Sequence, residues 1–275
     1  MTDAPDDTLL NEIEQVAFEL ATLGGAECRA TLGSMLNLAY KGGDPALLTD
    51  PVSEVDHRVE ALIRTRLSEC FPDHDIIGEE VADWSGRGSD WIWAIDPIDG
   101  TTNFVNGFPL FASSVGVLYR GRPVAGAIWC STGHRLDAGV YHARAGGQLH
   151  FDGVPAGAAP NPAVRRRLAG LPEAVPKGST IWESRKTGSA AIECAFVALG
   201  ILEVARFATP NIWDVAAGVA LVQATGRRAM IDQGDGWQDF SALTTGSGDL
   251  REWRYPLIIG ETEATATMAR DQVRS

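Results

Sequence analysis

The chain has 275 residues, 45% of them hydrophobic and 21% charged, which is the composition of a globular protein and excludes a disordered chain, a collagen or a coiled coil. Thirty-six acidic against 23 basic side chains leave a formal charge of −13. That balance lacks the basic footprint of a nucleic-acid binder, so no nucleic-acid partner is expected. The longest apolar run, Cys194 to Leu202, is too short to cross a bilayer, so no membrane partner is expected. Met1 to Asp7 is polar and acidic, unlike a secretory signal. Cys28, Cys70, Cys130 and Cys194 are widely spaced without a CxxC pair, which reads as reduced thiols in a cytoplasmic protein.

The first predicted element is a helix from Asp7, with Leu9, Ile13, Val16 and Leu20 on one face. Gly24 and Gly25 are expected to end or interrupt it. A second helix starts near Ser53, carries the stripe Val55, Val59, Leu62, Ile63 and Leu67, and stops at Phe71 and Pro72. Asp73 to Ile77 is extended. Trp91 to Ile95 reads as a buried strand that Pro97 and Gly100 break at once. Ser114 to Leu118, Val124 to Trp129 and Asp137 to Tyr141 follow as strands of a meander. Val154 to Lys177 is expected to be loop with at most one helix. Helices are predicted from Ser189 to Val204 and from Trp213 to Ala224, the second closed by Thr225 and Gly226. A strand at Tyr255 to Ile259 precedes a polar tail. Consecutive strands flanked by helices favour α+β layers over a βαβ repeat.

The sequence holds no Gly-Lys pair for a Walker A loop, no GxSxG and no HExxH. Its five histidines lack zinc-ligand spacing. Hard oxygen ligands are then the best remaining candidate chemistry. Three segments supply them: Ile77-Gly78-Glu79-Glu80, Asp96-Pro97-Ile98-Asp99-Gly100-Thr101-Thr102, and Trp213-Asp214. The middle segment leaves a buried strand, and a turn there aims Asp96 and Asp99 at one point. Gly100 permits tight backbone, and the N–H groups beyond it open a short helix suited to an anion. Carboxylates beside exposed N–H groups suit a phosphate held with divalent ions. Each segment alone has a plainer reading. Asp-x-x-Asp-Gly is turn chemistry, Glu79-Glu80 a solvated pair, Asp214 a first-turn acid, and Ser53-x-x-Asp56 a capping box.

Taken together, and in order from Lys41 to Gly226, the segments resemble the inositol monophosphatase family of Mg²⁺-dependent, lithium-sensitive phosphatases. The strings DPIDGTTNF from Asp96, WDVAAG from Trp213 and ARAGGQLHFDG from Ala143 carry the resemblance. It implies a layered αβαβα sugar-phosphatase-like fold, with two mixed or antiparallel sheets between helices. Residues 1–150 would form an α+β subdomain with most metal ligands, and 151–275 would complete the site in one compact unit. By the same resemblance, two to three Mg²⁺ ions, or Mn²⁺, would rest on Glu79, Asp96, the Ile98 carbonyl, Asp99 and Asp214. The Gly100 and Thr101 N–H groups would hold phosphate oxygens, with Ile98, Asp99, Ala190 and Asp214 beside the substrate. The catalytic set would be Asp56, Glu79 and Thr101, with the Thr101 hydroxyl backed by Asp56 and orienting the attacking water. Lys41 and Asp50 match a loop that closes over the site, and Ser53 replaces a common capping Thr.

One position departs from the family pattern. Members that prefer inositol phosphate carry a Glu seven residues before the helix Asp, and here Phe207 stands there. The implied activity is a phosphomonoesterase acting on a small phosphorylated metabolite. Inositol phosphate is the default, and histidinol phosphate the rival because Phe207 could pack beside a ring. Fructose 1,6-bisphosphate and 3′-phosphoadenosine phosphate rank lower. A homodimer is implied too, and a regulatory partner-binding protein is the alternative class.

Overall fold

The computed structural model describes residues 5–34, 36–40, 51–81, 86, 88–157, 161–173 and 181–273. Lys41 and Asp50 lie outside these residues. In chain order come α1 (Asp7–Thr31), β1 (Leu38–Tyr40), β2 (Pro51–Ser53), α2 (Glu54–Cys70), β3 (Asp75–Gly78) and β4 (Trp91–Asp99). Next are α3 (Thr101–Val105), β5 (Ala112–Tyr119), β6 (Arg122–Cys130), β7 (Gly139–Arg144), β8 (His150–Phe151) and β9 (Val154–Pro155). The last part holds β10 (Leu168–Gly170), β11 (Glu183–Arg185), α4 (Ala190–Leu199), β12 (Val204–Phe207), α5 (Ile212–Ala224), β13 (Arg228–Asp232), β14 (Trp237–Asp239), β15 (Leu257–Gly260) and α6 (Thr262–Val273).

The strands form two large sheets. One runs in the order β3-β4-β5-β6-β7-β8-β9, the other β11-β10-β12-β15-β13-β14. The first is antiparallel except where β3 runs parallel to β4. Alternation along β4 sorts its side chains between layers. Trp93 and Ile95 join the core under α1 and α2, with Ile13, Leu20, Val59 and Ile63. Ala94 faces the opposite core, where α4 and α5 lie between the two sheets. Beyond the second sheet, Ala264, Met268 and Ala269 of α6 pack on Val204 and Ile258. The order of layers is therefore αβαβα, as the resemblance implies.

Several local expectations are corrected. First, α1 runs through Gly24 and Gly25 to Thr31. A Cβ at Gly25 would strike the Trp129 ring, and one at Gly24 the Ser113 hydroxyl. Close packing on β5 and β6, not helix termination, explains the pair. Gly25→Ala should therefore lower stability by about 1–3 kcal/mol through overpacking. Urea unfolding checks this, and an unchanged midpoint would refute it. Second, β4 continues through Pro97 to Asp99 because a bulge absorbs the proline. Third, the polar tail contains a helix, and the stretch after Val154 contributes short strands instead of plain loop. The helix predicted to Val204 also ends earlier, at Leu199, capped by Gly200.

Candidate functional site

The bulge in β4 is what makes a site possible. Side chains three apart on a regular strand point to opposite faces. In β4, Asp96 pairs with Ser114 and Asp99 with Ala112, so three residues oppose two. The extra residue turns Asp96 and Asp99 to the same face, toward α4 and α5. The parallel neighbour β3 places Ile77 beside Ala94 and Gly78 beside Ile95. The Glu79 N–H then donates to the Ile95 carbonyl. Alternation splits the glutamate pair: Glu79 joins Asp96, while the Glu80 carboxylate lies 3.9 Å from His57 on α2. Glu60 of α2 locks this turn by accepting from the Glu80 and Val81 N–H groups.

Two helix starts complete the ring. Asp99 accepts from the Ser189 hydroxyl and from the Ala190 and Ala191 N–H groups at the start of α4. Asp214 accepts from the Asn211 N–H at 2.7 Å as the third residue of a capping box at α5. Gly100 has φ 88°, and its αL backbone opens α3 directly after β4. The amide of Asn103 donates to the Leu110 and Thr187 carbonyls at 2.6 and 2.8 Å. It ties α3 to the segment that leads into α4.

A cavity of about 180 Å³ results, lined by Glu79, Asp96, Ile98, Asp99, Gly100, Thr101, Thr102, Gly188 and Asp214. No Lys or Arg is among these lining residues. Burial first, then Glu79, Asp99 and Asp214, push the Asp96 carboxyl well above the usual carboxylate range. Burial raises Asp99 to about 6 against the pull of its three donors. Burial and then Asp99 raise Asp214 to about 8. Asp96 is 2% exposed, and its Oδ1 has no hydrogen-bond partner. Such an oxygen is costly to bury unless something else satisfies it. An oxygen-only donor set with an orphaned carboxylate oxygen fits hard divalent cations.

Asp56 sits behind this cavity, outside its lining. Its carboxylate accepts from the Ser53 N–H and hydroxyl at 2.8 and 2.6 Å. The Thr101 hydroxyl lies 3.3 Å from Asp56 and 2.8 Å from the Ile98 carbonyl. Ala190 adjoins through its N–H alone. Phe207 is different: it is 7% exposed and belongs to the core around α4 and α5. It pairs with Leu257 of β15 in the second sheet and is not among the residues that line the cavity. Sequence reasoning missed Asn103, Asn211, Glu60 and Glu193. Asn211-x-x-Asp214 is a readable capping pattern; Glu60 and Asn103 depend on contacts distant in the chain, and Glu193 on a loop contact that follows no regular spacing. Glu193 accepts from the Thr187 N–H and hydroxyl, and burial raises it to about 7.

Residues 9–265 match the model of the inositol monophosphatase family. The chain is 36% identical over 226 residues to "Phosphatase IMPL1, chloroplastic" of Arabidopsis thaliana, covering 76% of this chain and 59% of that protein. It is 29% identical over 233 residues to the "Fructose-1,6-bisphosphatase/inositol-1-monophosphatase" of Aquifex aeolicus, covering 79% of this chain and 84% of that one. In fold it is similar to the inositol monophosphatase structure from Anabaena (Nostoc) sp. PCC 7120. The TM-score there is 0.73 at 22% identity, with 96% of each chain covered. The chain belongs to the inositol monophosphatase family, a family of phosphoric monoester hydrolases.

Proposed function

We propose that this chain is a Mg²⁺-dependent phosphomonoesterase for a small phosphorylated metabolite, working without a protein nucleophile. The orphaned Asp96 oxygen among four acidic side chains, with no Lys or Arg among the described residues that line the cavity, is the observation that carries this reading. Glu79, Asp96, the Ile98 carbonyl, Asp99 and Asp214 would hold two to three ions. When bound, such ions neutralise phosphoryl charge and make water a better nucleophile at neutral pH.

The protein's own part is positioning. Asp99 and Asp214 are fixed by helix starts, so neither donor must reorganise during reaction. The N–H groups at Gly100 and Thr101 open α3 toward the cavity and suit phosphate oxygens. The Thr101 hydroxyl has one hydrogen to give, to Ile98 or to Asp56. Its lone pairs are then left to accept from a water and align it. Thr101→Ala should lower kcat by about 10²–10³-fold, the range of a positioned proton acceptor, with little change in KM. Thr101→Ser should retain most of the rate. Steady-state kinetics on both variants check this; an Ala variant as fast as the parent removes Thr101 from the mechanism.

The cavity is smaller than the roughly 300–1,000 Å³ of pockets that enclose a drug-sized ligand. It suits the reacting group and its ions, with the alcohol portion at the mouth. Phe207 cannot accept hydroxyl hydrogen bonds, so histidinol phosphate stays in the substrate panel as the rival. Inositol monophosphate and fructose 1,6-bisphosphate head the substrate panel, the pair named together for the Aquifex relative. Phosphate release with Mg²⁺, Mn²⁺ or EDTA tests the proposal. Activity should vanish in EDTA, return with Mg²⁺ and fall with millimolar LiCl. Turnover that survives EDTA would defeat it. A homodimer is part of the proposal and is read by light scattering. The cytoplasm is the proposed compartment, consistent with four free cysteines. Among the described residues no helix is long and apolar enough to cross a membrane.

A further inference from the structure

We propose that Glu14, His142 and His150 form a second metal site, of transition-metal type, that pins α1 to the far edge of the seven-stranded sheet. His142 on β7 and His150 on β8 face each other in antiparallel register. Directly opposed residues share one face of the sheet, and these two rings stack at 5.1 Å, 16° from parallel. Glu14 reaches them from α1. Its Oε1 lies 2.7 Å from His142 Nδ1 and 3.9 Å from His150 Nδ1. One ligand atom from each of the three residues falls within 4.8 Å of the others.

The donor set differs in kind from the acidic cavity. Two imidazoles and one carboxylate suit Zn²⁺, Co²⁺ or Ni²⁺, whereas Mg²⁺ prefers oxygen alone. Tetrahedral zinc at its usual bond lengths spaces ligand atoms about 3.4 Å apart. The 2.7 and 3.9 Å separations straddle that value, and with all three ligand atoms within 4.8 Å of one another side-chain shifts of about an ångström bring them to it. Three protein ligands leave one position for water, and the His150 side chain, 23% exposed, leaves a route in.

The surroundings ask for a cation. His150 Nδ1, the ring nitrogen on the Glu14 side, is buried without a hydrogen-bond partner, and a buried ring nitrogen rarely stays unsatisfied. The Gln148 amide lies 3.5 Å from His150 Nε2, placed to hold the nitrogen that does not ligate. Arg144 Nε approaches Glu14 Oε2 at 3.6 Å, but the same guanidinium is engaged by Asp7 at 2.6 Å and Asn11 at 2.8 Å. The Phe18 ring, 4.9 Å from His142, covers the site from α1. β7 lies three strands from β4 in the sheet, and none of the three ligands lines the acidic cavity.

Cobalt reports this site directly. Four-coordinate Co²⁺ with imidazole ligands absorbs strongly in the visible, and Co²⁺ among oxygen ligands in six-fold coordination absorbs weakly. The full-length protein, with Mg²⁺ in large excess to occupy the carboxylates, should develop the strong bands on adding one equivalent of Co²⁺. One equivalent of Zn²⁺ should remove them. His150→Gln, a mild change at a partly exposed position, should weaken Co²⁺ binding at least tenfold, and so should Glu14→Gln. Asp99→Asn should leave the bands intact. Zn²⁺ should also raise the Tm of the parent and not of His150→Gln. Absence of strong bands would overturn the proposal and leave the pair as a proton-sharing His–Glu contact. Bands that persist in both His150→Gln and Glu14→Gln, or that vanish in Asp99→Asn, would overturn it too. Phosphate release is measured separately, so neither result depends on the catalytic reading.

Discussion

Asp99→Asn should fold, bind ions poorly and lose at least 10³-fold in kcat, equivalent to about 4 kcal/mol of transition-state stabilisation. Asp99 is held on one side by the Ser189 hydroxyl and the Ala190 and Ala191 N–H groups. It also lines the cavity. An Asn side chain keeps the volume but removes the charge, and its NH₂ finds no acceptor at the Ala190 and Ala191 N–H groups. If its oxygen turns to α4, the cavity meets hydrogens where a cation needs lone pairs. Folding itself should survive, because an unneutralised buried carboxylate is removed. Phosphate release at saturating Mg²⁺, with circular dichroism to check the fold, measures the loss. Full activity in this variant would remove Asp99 from the ion-binding set.

The second large effect is on stability, in the absence of metal. Asp99 and Asp214 are raised to about 6 and about 8 in the folded chain, and Asp96 is raised as well. All three have ordinary carboxylate values near 4 when unfolded. The folded state therefore binds protons more tightly than the unfolded state. Below pH 4 both states are protonated at these positions and the full contribution is present. As pH rises through 6 and then 8, protons leave the folded cluster against burial and mutual repulsion, and stability falls. Each tenfold difference in proton affinity between the two states is worth about 1.4 kcal/mol. The loss for Asp214 alone is then on the order of a few kcal/mol.

Urea unfolding in EDTA should thus show a lower midpoint at pH 8 than at pH 5. Mg²⁺ should recover most of the difference at pH 8 and little at pH 5. Asp214→Asn in EDTA should be more stable than the parent at pH 8 and show a shallower pH slope. An EDTA-treated parent equally stable at both pH values would show that the four acids do not burden the fold, and the electrostatic reading of the cavity would fail.

The site is largely legible in the sequence because its residues are clustered in short strings. Asp96, Asp99, Gly100 and Thr101 follow an apolar strand within six positions, and the structure brings Glu79 and Asp214 to the same cavity. The sequence does not show how Asp96 and Asp99 come to share a face. A three-residue offset argues against it, and only the bulge against β5 reverses that. Gly24 and Gly25 mislead for a related reason. Their role is set by Ser113 and Trp129, some ninety to a hundred positions away. The strands β10, β11 and β14 have three residues each, too few for any period to register. The helix α6 is amphipathic only through small or flexible side chains such as Ala264 and Met268, so it reads as polar tail. Phe207 attracts notice by its place in a string, while its surroundings are fixed by pairing with Leu257.

The Asn103 amide, clasped between Leu110 and Thr187, carries a consequence for biosynthesis. A ribosome that has released the first 150 residues has made three of the four acids and Leu110, but neither Thr187, the second carbonyl that Asn103 grips, nor the helix that brings the fourth acid. The nascent product has no closed pocket until translation passes α5. A prematurely terminated polypeptide is left with an incomplete ring of acids and a turn held on one side only.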